Sequence, residues 1–233
     1  QDDWRISRRL TLNLGIRSSY AAPFSDKRDQ LMNLDYSPAP HLVPVREADN
    51  PRRLNFAPRV GLAYRLPGFA SRGGEMVFRA GYGVYYSPEI AAEAYDLVLN
   101  GIRSEMNQTT GIGAPVLTTR DGFPQTGSTG FPSYFGLDAN ASTPYVQQWN
   151  AGFQKELPGA VVFEAAYIGS KGVHLGRFDR ENIPPARGAG DLQSRRPFGD
   201  VGTLFQRKHI ANSSFNSLQL KAEKRMRHSL SFV

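Results

Sequence analysis

Tyr145 to Gly172 reads YVQQWNAGFQKEL-PGA-VVFEAAYIGSKG. Along its first arm Trp149, Ala151, Phe153 and Leu157 alternate with Gln148, Asn150, Gln154 and Glu156. Alternation at period two, sustained over a whole arm, marks a strand with one apolar and one polar face. After Pro158-Gly159-Ala160 the return arm sets Val161, Phe163, Ala165 and Tyr167 against Glu164 and Ser170. The stretch is a β-hairpin whose arms exceed the five or six residues or so of ordinary strands.

Three more hairpins share this design. Gln1 to about Ser19 turns at Ser7-Arg8-Arg9, and Leu10, Leu12, Leu14 and Ile16 then oppose Thr11, Asn13, Gly15 and Arg17. Phe56 to Tyr86 turns at Pro67 to Gly74. Its arms present Val60, Leu62, Tyr64 and Leu66, then Met76, Phe78, Ala80, Tyr82, Val84 and Tyr86. The fourth starts near Ser213, where Leu218, Leu220, Ala222 and Met226 alternate with Gln219, Lys221, Glu223 and Arg225. Partners across a hairpin share a face, so turn length fixes register. Three-residue turns pair Leu157 with Val161, Phe153 with Ala165, Ile6 with Leu10 and Met226 with Leu230. Apolar meets apolar each time, whereas a one-residue slip sets Phe153 against Glu164.

Between the hairpins lie long connections, Tyr20 to Asn55, Ser87 to Pro144 and Val173 to Asn212, all at the end opposite the turns. Short turns at one end and long loops at the other are the wiring of an outer-membrane β-barrel. An arm of about 12 residues spans roughly 40 Å, or about 30 Å when tilted near 40°, which suits a bilayer. Lys155 and Lys224 interrupt the apolar faces close to turns, where a lysine stem reaches the membrane interface. Trp4, Tyr82, Tyr86, Tyr145, Trp149 and Tyr167 are expected in the interfacial aromatic girdles. Within the second connection Ser87 to Leu97 reads as a short helix, with Ser87 as N-cap and Pro88 at its first position.

Composition agrees with this class. The 233 residues are 40% hydrophobic with a mean hydropathy of -0.43, and no run approaches the roughly 18 apolar residues of a spanning helix. A barrel escapes that test because only alternate residues meet lipid. The absence of cysteine excludes disulfides, thiolate metal sites and cysteine nucleophiles. The net charge of +7 comes from scattered arginines, such as Arg52 and Arg53 or Arg195 and Arg196. Dispersed charge reads as solvated loop and lumen surface, and no nucleic-acid partner is expected. The chain opens on QDDW and stops inside an alternating run at SLSFV, so an internal piece of a longer protein is expected.

No residue pattern supports an enzyme. Glu89, Glu93 and Asp96 lie at helical spacing and read as a solvated helix face. His41, His174, His209 and His228 are dispersed loop or rim residues without metal-ligand spacing. The run Gly81 to Tyr86 lacks the third glycine and the helix of a dinucleotide loop, so lumen-facing strand glycines explain it better. Ser170 is not in a G-x-S-x-G elbow. The triplets at Asn107, Asn140 and Asn212 carry no glycosylation meaning in an outer membrane. No catalytic, cofactor or metal residue is assigned. For ligand contact Arg103, Arg120, Tyr134 and Phe135 qualify only by their place in the longest loop.

These residues resemble the TonB-dependent outer-membrane receptors, and within them the Oar-like branch that carries a carboxypeptidase-regulatory-like domain. The matching stretches are QDDWRISRRLTLNLGIR (1–17), NFAPRVGLAYRL (55–66), VFRAGYGVYYSP (77–88), TPYVQQWNAGFQKELPGAVVFEAAYIGSKGVHL (143–175) and FNSLQLKAEKRMRHSLSF (215–232). The resemblance implies an all-β fold, an antiparallel transmembrane segment of about eight strands from a roughly 22-stranded barrel. It implies that 1–233 is a partial barrel domain without plug, TonB box or C-terminal strands. Lipid and lipopolysaccharide would surround the wall, the TonB complex would act through the missing N-terminal part, and the loops would capture a solute of unknown identity. The competing reading is a secreted, soluble β-sandwich binding module for carbohydrate or adhesion. Its strands would be shorter and its turns would come every 8–12 residues or so.

Overall fold

The computed structural model describes residues 2–48, 54–67, 76–87, 95–100, 131–138, 141–225 and 231–232. Eight strands form one continuous path: β1 (Asp2–Arg5), β2 (Leu10–Tyr20), β5 (Leu54–Leu66), β6 (Met76–Tyr86), β8 (Tyr145–Leu157), β9 (Val161–Glu181), β10 (Leu204–Arg225) and β11 (Ser231–Phe232). All neighbours on this path are antiparallel. The sheet is open at both ends of the path. Leu157 pairs with Val161 and Phe153 with Ala165, the expected register. Trp4 pairs with Leu12, which continues to Ile6 opposite Leu10. Lys224 pairs with Phe232, the register that sets Met226 opposite Leu230; those two residues and His228 lie outside the described ones. So does the second turn beyond Pro67.

The turn after Leu157 shows how local chemistry sets this register. Gly159 has φ +85° and Ala160 φ +60°. The first is cheap for a residue without Cβ, and left-handed residues closing a short hairpin loop match the twist of the strands. Because every hairpin holds its register, faces persist across the sheet. Leu12, Leu62, Ala80, Ala151, Tyr167 and Leu218 make one cross-strand row. Among the described residues no second sheet covers that face: Ile16 and Leu218 are each 70% exposed and Leu220 is 65% exposed. A β-sandwich buries its apolar faces against each other, so the sandwich reading does not describe this chain. Trp149 lies across Gly169 instead, where a Cβ would collide with the indole.

The wall ends where β9 and β10 bulge. Tyr145 pairs with Val173, the last wall pair. Just beyond it the β9–β10 register shifts twice, between His209 and Ala211 and between Ala211 and Ser213. His174 has φ +56° there. Bulges bend a hairpin and strengthen its twist. Past the bend both strands continue to Glu181 and from Leu204. The third connection is therefore 182–203, shorter than the expected Val173 to Asn212, and hairpin four begins at Leu204 rather than near Ser213.

The other connections also carry structure. Within the first, β3 (Leu31–Asp35) pairs with β4 (His41–Val45) as a separate hairpin. Within the second, residues 95–100 form helix α1, and β7 (Tyr134–Leu137) adds to β10 in parallel, Leu204 beside Tyr134. The helix runs past Leu97, the end expected from sequence. The start expected from sequence, with Pro88, Glu89 and Glu93, lies outside the described residues. Among the described residues no helix is long and apolar enough to cross a membrane.

Candidate functional site

The polar face of the wall is one candidate surface. Asn13, Gly61, Gly81, Asn150, Ile168 and Ser217 make one of its rows. Gly81 thus sits on this face, as expected from sequence. Toward the loop end the Arg59 guanidinium lies 4.7 Å from the Tyr85 ring centroid. Arg17, Arg59 and Tyr85 line a small recess of about 190 Å³ there. Toward the turn end five arginines surround a larger one. Ser170 lies in mid-strand, paired with Gln148 and Phe215.

Above the bulge the connections build a cap with its own core. Leu31, Ala48, Leu97 and Leu137 form one buried cluster; Leu34, Val201 and Leu204 form another, with Tyr36 and Tyr134 packed against it. Three asparagines stitch these segments together. Asn33 Nδ2 donates to the Leu137 carbonyl at 3.1 Å while its Oδ1 accepts from the Leu137 amide at 2.8 Å. Asn100 Nδ2 donates to the Met32 and Phe135 carbonyls, both at 2.6 Å, and its Oδ1 accepts from the Phe135 amide at 2.8 Å. Asn182, at φ +56°, donates to the carbonyls of Phe198, Val201 and Gly202 and accepts from the Phe198 amide. Side-chain amides suit this work, because one group both donates and accepts where short strands leave backbone groups unpaired.

Two charged contacts complete the cap. Arg207 on β10 pairs with Asp96 on α1 at 3.3 Å, with side chains only 13% and 14% exposed. Lys208 pairs with Glu181 at 2.8 Å. Burial of the Tyr36 hydroxyl, then the neighbouring Glu181 carboxylate, holds its pKa above the ordinary tyrosine value. A cavity of about 650 Å³ opens in the cap, walled by Phe24, Leu31, Met32, Leu42, Val98 and Asn100, with Asp26 at its margin. The amides of Gln30 and Arg28 donate to Asp26 and keep its carboxyl below the usual range. The recess is thus mainly apolar with one fixed anion, a shape that small-molecule sites favour.

The structure redistributes the residues singled out by sequence. Tyr134 and Phe135 are not at a loop tip: Tyr134 packs on the second buried cluster, and Phe135 stacks on Phe205 at 5.0 Å. Arg103, Arg120, Asn107 and Asn140 lie outside the described residues. Asp96 is no solvated helix charge, being paired with Arg207. His209 is neither a loop nor a rim residue. It is buried in β10, with Nδ1 3.0 Å from the Ser142 carbonyl. Tyr86 and Tyr145 meet at 5.4 Å at the loop end of the wall, where a girdle is expected. The residues missed from sequence are Asn33, Asn100 and Asn182, single asparagines in irregular segments with no periodic signal around them.

The siderophore receptor PirA from Pseudomonas aeruginosa superposes with a TM-score of 0.43 at 15% identity, covering 98% of this chain and 31% of that receptor. The Serratia marcescens hemophore receptor HasR, a double mutant in complex with its hemophore HasA and heme, superposes with a TM-score of 0.40 at 12% identity, covering 92% of this chain and 29% of that one. The chain thus spans less than a third of either receptor. No curated protein sequence matches it. The family described as Outer membrane beta barrel domain matches residues 1–233 throughout, and with a wall whose apolar face is bare and whose polar face is lined by arginine, glycine and asparagine, the chain belongs to that family of outer-membrane β-barrels.

Proposed function

We propose that this chain is part of the barrel wall and the external cap of a TonB-dependent outer-membrane receptor that takes up a solute at the expense of cellular energy. The observation that carries the reading is the pairing of two parts in one chain. Apolar rows in unbroken register suit a lipid-facing wall. A folded cap with an apolar cavity stands on the loop end, where a receptor meets its ligand. The resemblance of 1–17, 55–66, 77–88, 143–175 and 215–232 to TonB-dependent receptors, and to their Oar-like branch, supports the same reading. In it the wall is a slice of a longer barrel. Its plug, TonB box and terminal strands lie elsewhere in the protein, and no group in the chain performs covalent chemistry.

The cavity edged by Asp26 is the proposed ligand recess. An apolar molecule of modest size carrying one hydrogen-bonding or cationic group fits its walls. Uptake by cells carrying the full-length protein tests the function. Cells are offered the culture medium's solutes and profiled for those they deplete. The reading expects at least one solute whose depletion requires both the protein and an intact proton-motive force. Depletion that survives an uncoupler, or that is unchanged without the protein, rejects energy-coupled uptake.

A further inference from the structure

On the apolar face one cross-strand row changes character halfway. Ile16 pairs with Pro58, and the register carries on through Val84 to Gln147, Lys171 and Ser214. The first three side chains have no hydrogen-bonding group, and the last three all do. One row nearer the turns stand Tyr82, Trp149, Gly169 and Asn216. The Tyr82 hydroxyl donates to Gln147 Oε1 at 3.1 Å, and the Tyr167 hydroxyl donates to Asn216 Oδ1. Each amide oxygen is thus occupied, and its NH2 is left to donate. Lys171, Ser214 and Asn216 are exposed. On the turn side of the bulges the carboxylates of β8, β9 and β10 are Glu156, Glu164 and Glu223, all on the polar face. Lys171 therefore shares its face with donors and with no acid of these strands.

We propose that Gln147, Lys171, Ser214 and Asn216 form a site for a phosphate-bearing headgroup of lipopolysaccharide on the outside of the barrel. The inference rests on the reading of the apolar rows as lipid-facing and of the loop end as external. Ten steps along β9 from Val161 to Lys171 rise roughly 26 Å at a tilt of about 40°. That is the top of an apolar band about 25 Å tall, the headgroup layer of the outer leaflet, where lipopolysaccharide carries its phosphates. An ammonium flanked by amide and hydroxyl donors suits phosphate oxygens through charge-assisted hydrogen bonds. Trp149, lying across Gly169, offers a flat apolar wall to the acyl chains beneath the headgroup. Lys155 at the opposite margin differs. Its row is Met76, Phe163 and Ala222, so its stem reaches the interface without a set of donors around it.

The test is native mass spectrometry of the full-length protein in mild detergent, with bisphosphorylated lipid A, its dephosphorylated form or phosphatidylglycerol added. Heat-dependent gel mobility selects folded protein for each variant. The wild type should retain bisphosphorylated lipid A several-fold better than either other lipid. Lys171→Gln should abolish that preference, Lys171→Arg should keep it, and Lys155→Gln should leave it unchanged. Solute uptake does not enter the readout, so the result stands apart from the proposed function. Undiminished preference in Lys171→Gln, or retention indifferent to the lipid A phosphates, overturns the site. Equal retention of phosphatidylglycerol overturns its assignment to lipopolysaccharide. Loss of the preference in Lys155→Gln alone overturns the placement of the site at the loop end.

Discussion

Between Tyr145 and Leu157 the chain is held by its two neighbouring strands, and its apolar side chains face outward uncovered. Between Leu204 and Arg207 it is held on both edges, by β9 and β7, and Leu204 is fully buried. The wall borrows its apolar surroundings from a bilayer, while the cap carries its own. Hydrophobic burial within the protein therefore stabilises the cap, and the wall depends on backbone pairing inside lipid, where an unpaired amide or carbonyl is costly. The bulges at His209 to Ser213 mark the boundary between the two regimes.

Substitutions should separate the regimes. The largest effect is expected for Leu204→Ala, which leaves a cavity between Leu34 and Val201 at a cost of about 2–5 kcal/mol. Hydrogen exchange on the full-length protein should lose protection at 31–45 and 134–137 and keep it in β8. Loss of protection throughout would show that wall and cap are one cooperative unit. On the wall, Leu62→Arg should cost about 2–4 kcal/mol and Gln148→Arg, on the polar face, much less. Urea unfolding in liposomes reads the difference, and equal costs would erase the distinction between faces.

Asn182→Ala should cost about 1–3 kcal/mol, because buried carbonyls and the Phe198 amide lose their partner. Faster proteolysis within 182–203 would report it. Asn182→Gly should recover little, since the residue's bonds matter more there than its positive φ. The smallest effect concerns pH. The Tyr36 pKa is raised, so its contribution is present in full below the ordinary tyrosine value of 10.0 and is lost as pH rises through the folded value. Cap proteolysis should therefore accelerate once pH rises above about 10 in the native protein and do so less in Tyr36→Phe. Equal acceleration in both would remove Tyr36 from the account.

The wall was legible because its signal is local. Period-two patterns name the faces, and the Pro158-Gly159-Ala160 turn alone fixes the β8–β9 register. The cap was not legible, for two reasons. Tyr134–Leu137 finds its partner in Leu204–Arg207, far along the chain and in parallel, so no neighbouring sequence announces it. Leu31, Asn33 and Leu34 are all buried, so β3 lacks alternation. In the upper arms of β9 and β10 the pattern is arginine against aromatic rather than polar against apolar. Arg207 lies over Phe178 at 4.1 Å and Arg180 over Phe205 at 5.6 Å, contacts that stabilise a strand pair in water but escape a search for apolar rows.

The central claim is that one face of this sheet meets lipid and the other a lumen. This segment contains no cysteine, so single cysteines can be placed along β8 in the full-length protein, one at a time from Gln148 to Gln154. Labelling in native membranes with a water-soluble maleimide and with a lipid-soluble one tests the claim most directly. The account predicts strict alternation: Trp149, Ala151 and Phe153 positions react with the lipid-soluble reagent only, and Gln148, Asn150, Gly152 and Gln154 positions are shielded from it. Uniform reaction of all seven positions with the water-soluble reagent would contradict it.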